Sequence, residues 1–158
     1  MPLPTVLYAE DDENDAFFMR RAFAKMDGRH SLCVVPDGLR AVEYLSAEGQ
    51  YADRTKFPFP ILLLLDIKMP VVSGLEVLKW VRVRPEFREL RVVMLTSSTQ
   101  PADVAFCSAH GANAYLVKSS NADELSTLLP KLLPSANEAL AVGRLTVPGN
   151  QLPDNRTP

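Results

Sequence analysis

A run of five aliphatic residues, Ile61 to Leu65, leads directly into a single carboxylate, Asp66. Pro60 precedes the run and Pro70 follows it closely, and apolar and polar residues do not alternate within it. This pattern predicts a strand that is buried on both faces of a parallel sheet. Ligands of open α/β sheets bind outside the carboxyl ends of the strands. We therefore expect Asp66 either to cap a turn or to face a binding crevice.

Four other short β-prone runs alternate with segments whose apolar residues recur at helical spacing. We predict strands at 5–9, 32–35, 61–65, 91–95 and 114–117, each followed by a helix. In the second helix we expect Leu39, Val42 and Leu45 to form the apolar face. Strands that alternate with helices indicate a doubly wound parallel sheet with right-handed crossovers. We predict one α/β domain of five strands and five helices over residues 5–133, and a partly helical or irregular extension over 134–158.

Composition excludes several classes of function. The chain has 158 residues, 47% of them hydrophobic, which suits one domain with one sizeable core. Its net charge of -2 offers no electrostatic basis for binding nucleic acid or a membrane surface. No apolar stretch reaches the roughly 20 residues that span a bilayer, and no secretory signal is recognisable. Cys33 and Cys107 lack metal-ligand spacing, so we expect free core thiols and a cytoplasmic protein.

Polar side chains stand at the predicted carboxyl ends of four strands. Glu10 and Asp11 follow the first strand, Asp66 the third, Thr96 the fourth and Lys118 the fifth. These ends lie side by side in a doubly wound sheet, and clustered carboxylates repel one another unless a cation offsets them. Hard oxygen ligands of this kind suit Mg²⁺, with Mn²⁺ as an alternative. A carboxylate nucleophile beside a cation, an ammonium and a hydroxyl is suited to phosphoryl transfer.

Each of these residues also has an ordinary structural explanation. The acidic run 10–15 would complement a helix N-terminus. Asp66 would serve in a turn, Thr96 would begin a turn rich in Ser and Thr, and Lys118 would be a solvated surface lysine. The coincidence of all of them at the carboxyl ends of predicted strands favours a common site.

The order and spacing of a larger set of residues resemble the receiver domain of two-component response regulators. The set is Glu10-Asp11, Asp66 to Pro70, Gly74, Thr96, Tyr115 and Lys118. The resemblance covers about residues 5 to 133 and implies the flavodoxin-like receiver fold. It also implies that Asp66 is the phosphoacceptor, and that Asp11 binds the metal directly while Glu10 binds it through water. The backbone carbonyl of Lys68 would complete the metal shell together with Asp66.

The same resemblance implies how the domain signals. Thr96 and Lys118 would contact phosphoryl oxygens, and Tyr115 would be an aromatic switch that turns inward as Thr96 moves toward the phosphoryl group. The donor would be a phosphohistidine on a sensor histidine kinase. Because no output domain is recognisable after residue 133, we expect a stand-alone signalling phosphoacceptor whose output is binding, and not an enzyme acting on other substrates.

Finer features are similar to the small regulators that are paired with bacterial phytochrome kinases. These features are the acidic run 10–15, the long connection 50–60 and Lys118-Ser119. This similarity implies a phytochrome-type kinase partner and a homodimer, with apolar contacts available from the tail. A histidine phosphotransfer protein is a further candidate partner.

Three features of the chain depart from the pattern common in the family. Ser119 replaces the proline that often follows the conserved lysine, so we predict either a trans bond with an altered loop or a strained cis bond. Lys68 stands where smaller or uncharged residues are frequent, and Ser97 and Ser98 follow Thr96. We expect Lys68 and Ser98 to influence the lifetime of the aspartyl phosphate.

Two other functions compete with this interpretation. Phosphohydrolases of the haloacid dehalogenase type also place an aspartate after a buried strand, but they carry a second acid two residues later, where this chain has Lys68. A degenerate receiver would act as an interaction module without phosphorylation, which the intact Asp11, Asp66, Thr96 and Lys118 disfavour. Whether Asp66 accepts a phosphoryl group distinguishes the degenerate receiver from the phosphorylation-dependent switch.

Overall fold

The computed structural model describes residues 3–118 and 121–133, and five strands alternate with five α-helices in these ranges. The elements are β1 Thr5–Ala9, α1 Glu13–Ala24, β2 Ser31–Val35, α2 Gly38–Leu45, β3 Leu62–Leu65, α3 Gly74–Arg82, β4 Arg91–Thr96, α4 Pro101–Ala109, β5 Ala114–Val117 and α5 Ala122–Leu132. Each strand agrees with its predicted bounds to within one residue. Two predictions concern parts of the chain outside the described residues: the extension 134–158 and the Lys118–Ser119 peptide bond.

The sheet has the strand order β2-β1-β3-β4-β5, and every neighbouring pair is parallel. β3 is the central strand, and its four leucines are fully buried. Because side chains alternate along a strand, Leu63 and Leu65 pack toward α2 and α3, whereas Leu62 and Leu64 pack toward α1 and α5. Burial of each leucine contributes about 1.5–3 kcal/mol. The predicted doubly wound parallel α/β fold is confirmed.

The connection from α2 to β3 packs on α2 and changes which face of that helix is buried. Tyr44 is fully buried, its ring contacts those of Tyr51 and Phe57, and its hydroxyl donates to the carbonyl of Pro58 at 2.8 Å. The guanidinium of Arg54 donates to the carbonyls of Tyr44, Leu45 and Phe57, and so satisfies carbonyls at the end of the helix. The expectation that Leu39 belongs to the apolar face was wrong, because this side chain is 41% exposed.

The two cysteines are both free thiols, as expected. Cys107 is fully buried, and burial raises the pKa of its thiol to about 12. Cys33 is only partly buried beside the core, so the expectation of a core position holds in part. In the part of the chain that the structure describes, none of the helices is long and apolar enough to cross a membrane.

Candidate functional site

The carboxyl ends of four strands bring the predicted site residues together. Backbone hydrogen bonds continue between the strands just past their ends, because the amide of Asp66 donates to the carbonyl of Ala9 at 3.2 Å. The amide of Lys118 likewise donates to the carbonyl of Thr96 at 2.8 Å. The sheet itself therefore sets the spacing between these functional residues.

Three carboxylates form a group that is able to hold a metal ion. One oxygen from each of Glu10, Asp11 and Asp66 lies within 4.8 Å of the others. Glu10 and Asp66 are buried, whereas Asp11 is exposed, so the group opens to solvent on one side. Hard, anionic oxygen donors at this separation fit a divalent cation such as Mg²⁺ or Mn²⁺.

The ammonium of Lys118 makes three close contacts with carboxylates. Its Nζ lies 2.7 Å from Glu10, 2.7 Å from Asp15 and 3.0 Å from Asp66. Burial by itself lowers the pKa of Lys118, but hydrogen bonds to Asp15, Glu10 and Asp66 outweigh that effect, and the pKa is raised. Lys118 is thus a charged member of the site and not the solvated surface lysine of the ordinary explanation.

Asp15 is a site residue to which the sequence assigned no separate role. It is separated from Lys118 by 103 positions along the chain, and the packing of α1 beside α5 on one face of the sheet brings them together. Its one signal in the sequence was membership of the acidic run. Within that run Asp12 is the N-cap, since its side chain accepts from the amides of Asn14 and Asp15. The helix N-terminus explanation therefore fits Asp12 and the place of Asp15 in the first turn, but it accounts neither for Glu10 nor for the contact between Asp15 and Lys118.

Glu10 is held by donors on both of its oxygens. Oε2 accepts from the hydroxyl of Tyr8 at 2.8 Å and contacts Lys118, while Oε1 accepts from the amide of Asp12 at 3.0 Å. Burial raises the pKa of Glu10 to about 7, although the bond with Lys118 opposes this shift. Tyr8 is fully buried, and burial together with the charge of Glu10 raises the pKa of its hydroxyl. Tyr8 is a second participant that the sequence reading missed, because it appeared there only as a strand residue.

Thr96, Ser98 and Tyr115 connect the site to α4 and β5. The hydroxyl of the fully buried Thr96 accepts from the amide of Ser98 at 3.2 Å. The hydroxyl of Ser98 donates to Asp103 of α4 at 2.6 Å, and that of Tyr115 donates to the carbonyl of Ser98 at 2.7 Å. Tyr115 is 4% exposed and therefore lies turned inward beneath the loop between β4 and α4.

The loop after Asp66 is closed by a residue that has to be glycine. The amide of Gly74 donates to the carbonyl of Ile67 at 2.9 Å. A Cβ on Gly74 would lie 2.7 Å from the carbonyl carbon of Asp66 and 3.0 Å from the Cα of Ile67, which is too close for any side chain. Lys68 is exposed in this loop. The role of its carbonyl as a metal ligand stays a prediction.

This fold, with an acidic group and a lysine at the carboxyl edge of its sheet, defines a receiver domain. Residues 6–130 match the family described as the response regulator receiver domain. The chain belongs to this family, whose members are phosphoacceptors of two-component signalling.

Two known proteins, Rcp1 and RcpA, show the likeness in detail. The response regulator Rcp1 from Synechocystis is 32% identical over 124 residues, which are 78% of this chain and 82% of Rcp1. The crystal structure of the Mn²⁺-bound form of Rcp1 has a TM-score of 0.75 and 28% identity, with 84% of this chain and 96% of that chain covered. The phosphorylated cyanobacterial phytochrome response regulator RcpA has a TM-score of 0.73 and 30% identity, with 81% and 89% covered.

Proposed function

We propose that this protein is a single-domain response regulator that accepts a phosphoryl group on Asp66 from a sensor histidine kinase. The observation that carries the proposal is the pairing of buried Asp66 with the ammonium of Lys118 at 3.0 Å, inside a group of carboxylates suited to a divalent cation. A carboxylate that merely caps a turn has no need of either partner.

The residues that would hold Mg²⁺ are Asp11, Asp66 and the backbone carbonyl of Lys68. Glu10 would act through water, since donors already occupy both of its carboxylate oxygens. When bound, the cation supplies positive charge that offsets the charge on the phosphoryl oxygens. The Mn²⁺-bound form of the similar Rcp1 supports a site of this type.

Phosphoryl transfer exchanges one bond to phosphorus for another. An oxygen of Asp66 forms the new O–P bond while the P–N bond of the phosphohistidine breaks, and the electron pair stays on the imidazole nitrogen. Lys118 then pairs with one phosphoryl oxygen, and the hydroxyl of Thr96 donates to another. The same groups would assist hydrolysis of the aspartyl phosphate. The protein would thus assist both its own phosphorylation and its own dephosphorylation, without being an enzyme for other substrates.

Movement of Thr96 would pass the change at Asp66 to the binding face. If its hydroxyl turns toward a phosphoryl group, the amide of Ser98 loses its acceptor. The carbonyl of Ser98 accepts a hydrogen bond from the hydroxyl of Tyr115, so a rearrangement of the loop would change the position of the Tyr115 ring. Phosphorylation then acts through a local charge on a two-state element.

The proposed partners follow from the family and from the relatives. RcpA is described as a phytochrome response regulator, which supports a phytochrome-type histidine kinase as the donor here. A histidine phosphotransfer protein would receive the group if the protein acts within a relay. We further propose a cytoplasmic homodimer that binds neither nucleic acid nor membrane.

Intact-mass measurement after incubation with acetyl phosphate and Mg²⁺ tests the proposal. We expect one phosphoryl adduct on the wild type and none on Asp66→Asn or in the presence of a chelator. Asp53→Asn, a change in an exposed turn, is the control that should keep the adduct. Absence of an adduct with acetyl phosphate and with candidate kinases would refute phosphoacceptor activity and favour the interaction module.

A further inference from the structure

Asp15 is bonded to the lysine of the site but lies outside the acidic group that suits a metal. It belongs to the first turn of α1, and its carboxylate meets the ammonium of Lys118 at 2.7 Å. The side chains of Asp15 and Lys118 are 30% and 14% exposed, so the contact is largely shielded from solvent. Among the residues that the structure describes, the candidate metal group contains Glu10, Asp11 and Asp66, but not Asp15.

The three carboxylate partners of Lys118 would differ during phosphoryl transfer in how much negative charge they offer its ammonium. An ammonium has three N–H donors, and here each faces one carboxylate. Once a divalent cation draws on the charge of Asp66 directly and of Glu10 through water, both carboxylates have less negative charge to offer Lys118. Asp15 keeps its full charge for the ammonium, because it takes no part in that group.

We propose that Asp15 is a positioning residue that holds the ammonium of Lys118 beside Asp66 for phosphoryl transfer, an inference that rests on the proposed function. The aliphatic chain of a lysine is flexible, and a charge in the wrong place contributes little to stabilising a phosphoryl group. The carboxylate of Asp15, in the first turn of α1, gives the ammonium a partner at 2.7 Å in addition to Glu10 and Asp66. Asp15 acts through Lys118 and does not itself touch the phosphoryl group.

Two simpler roles for Asp15 predict different behaviour. It could complement the dipole of α1, or it could only add negative charge near the site. Glu13 has the same charge, lies in the same first turn and is exposed, and the structure shows no contact between it and Lys118. Glu13→Ala is therefore a matched control, since it changes helix dipole and net charge without touching the lysine.

The first test measures the rate of phosphorylation by acetyl phosphate at saturating Mg²⁺. We expect Asp15→Ala to lower the rate constant about 10-fold, as misplacement of a reacting group does, and Glu13→Ala to leave it within about 2-fold. In a Lys118→Ala background, Asp15→Ala should have no further effect, because its route of action is gone. Asp15→Asn should keep most of the wild-type rate, since its amide oxygen still accepts a hydrogen bond from the ammonium of Lys118.

The second test follows the lysine directly and needs no phosphorylation. The ¹H–¹⁵N signal of the Lys118 ammonium should be visible in metal-free wild type and in Glu13→Ala, because hydrogen bonds slow its exchange with water. It should broaden in Asp15→Ala. If Asp15→Ala does not fold, Asp15→Ser replaces it, because serine suits a first helical turn and its short hydroxyl does not span the contact.

Specific outcomes would overturn the inference. Equal slowing by Asp15→Ala in the wild-type and Lys118→Ala backgrounds would show that Asp15 acts by charge or through the fold. A wild-type rate in Asp15→Ala would show that the contact does not matter. Failure of the proposed function is distinguishable from both, since the wild type itself would then carry no adduct.

Discussion

Replacement of Asp66 by asparagine should stabilise the metal-free protein, although it removes a contact with Lys118. The swap is nearly isosteric, so the main change is the loss of one buried negative charge. At an effective dielectric constant of about 20, the contact with the ammonium at 3.0 Å contributes about 5.5 kcal/mol of attraction. Repulsion from Glu10 and Asp11, whose oxygens lie within 4.8 Å, contributes about 3.5 kcal/mol or more for each pair.

The repulsion and the attraction nearly cancel, so the sign of their difference decides whether the substitution stabilises the protein. Two repulsions of about 3.5 kcal/mol exceed one attraction of about 5.5 kcal/mol, so Asp66→Asn should raise the free energy of unfolding by about 1.5 kcal/mol without a metal. In a chain of this size that corresponds to a rise of about 3–6 °C in melting temperature. With Mg²⁺ the order should reverse, because the wild type has a better set of ligands and gains more from binding.

Thermal unfolding followed by circular dichroism at pH 8 provides the measurement, in chelator and in excess Mg²⁺. At this pH Glu10 is mostly ionised, since its pKa is about 7. Asp27→Asn, at an exposed position remote from the acidic group, controls for the general effect of losing one negative charge. A melting temperature of Asp66→Asn clearly below that of the wild type in chelator would refute the reasoning, because attraction to Lys118 would then outweigh repulsion.

Two further predictions follow from the packing and the protonation of the site. Gly74→Ala should abolish Mg²⁺-dependent phosphorylation and cost several kcal/mol, because the new Cβ overlaps the backbone of Asp66. Gly28→Ala, with φ +72 and no atom within 4 Å of a new Cβ, should cost only about 1 kcal/mol, and equal melting temperatures would contradict this account. The pKa of Glu10 is raised from 4.5 to about 7, so its stabilising contribution is complete below pH 4.5 and is lost as the pH rises through 7. The melting temperature of the metal-free wild type should therefore fall over this range and that of Glu10→Gln should fall less, whereas identical profiles would exclude Glu10 as the cause.

The elements of the fold were predictable because a strand that is buried on both faces appears in the sequence as an unbroken run of apolar residues. Four leucines in a row require a strand covered on both faces, and β3 is such a strand. The face of α2 was less predictable, because the connection after it brings Tyr51 and Phe57 onto Tyr44 and leaves Leu39 exposed. Periodicity locates a helix, but the partners of the helix decide which face is buried.

The order of residues along the chain was enough to predict which polar groups would meet, since parallel strands align their carboxyl ends along one edge. Glu10, Asp11 and Asp66 follow their strands directly and so had to lie together. The contact of Lys118 with Asp15 and the hydrogen bond from Tyr8 to Glu10 became apparent only in the folded chain. These contacts depend on how α1 packs on the face of the sheet and on the directions that side chains take within the core. Local pattern does not encode those distances, because they arise from packing between elements that are far apart in the chain.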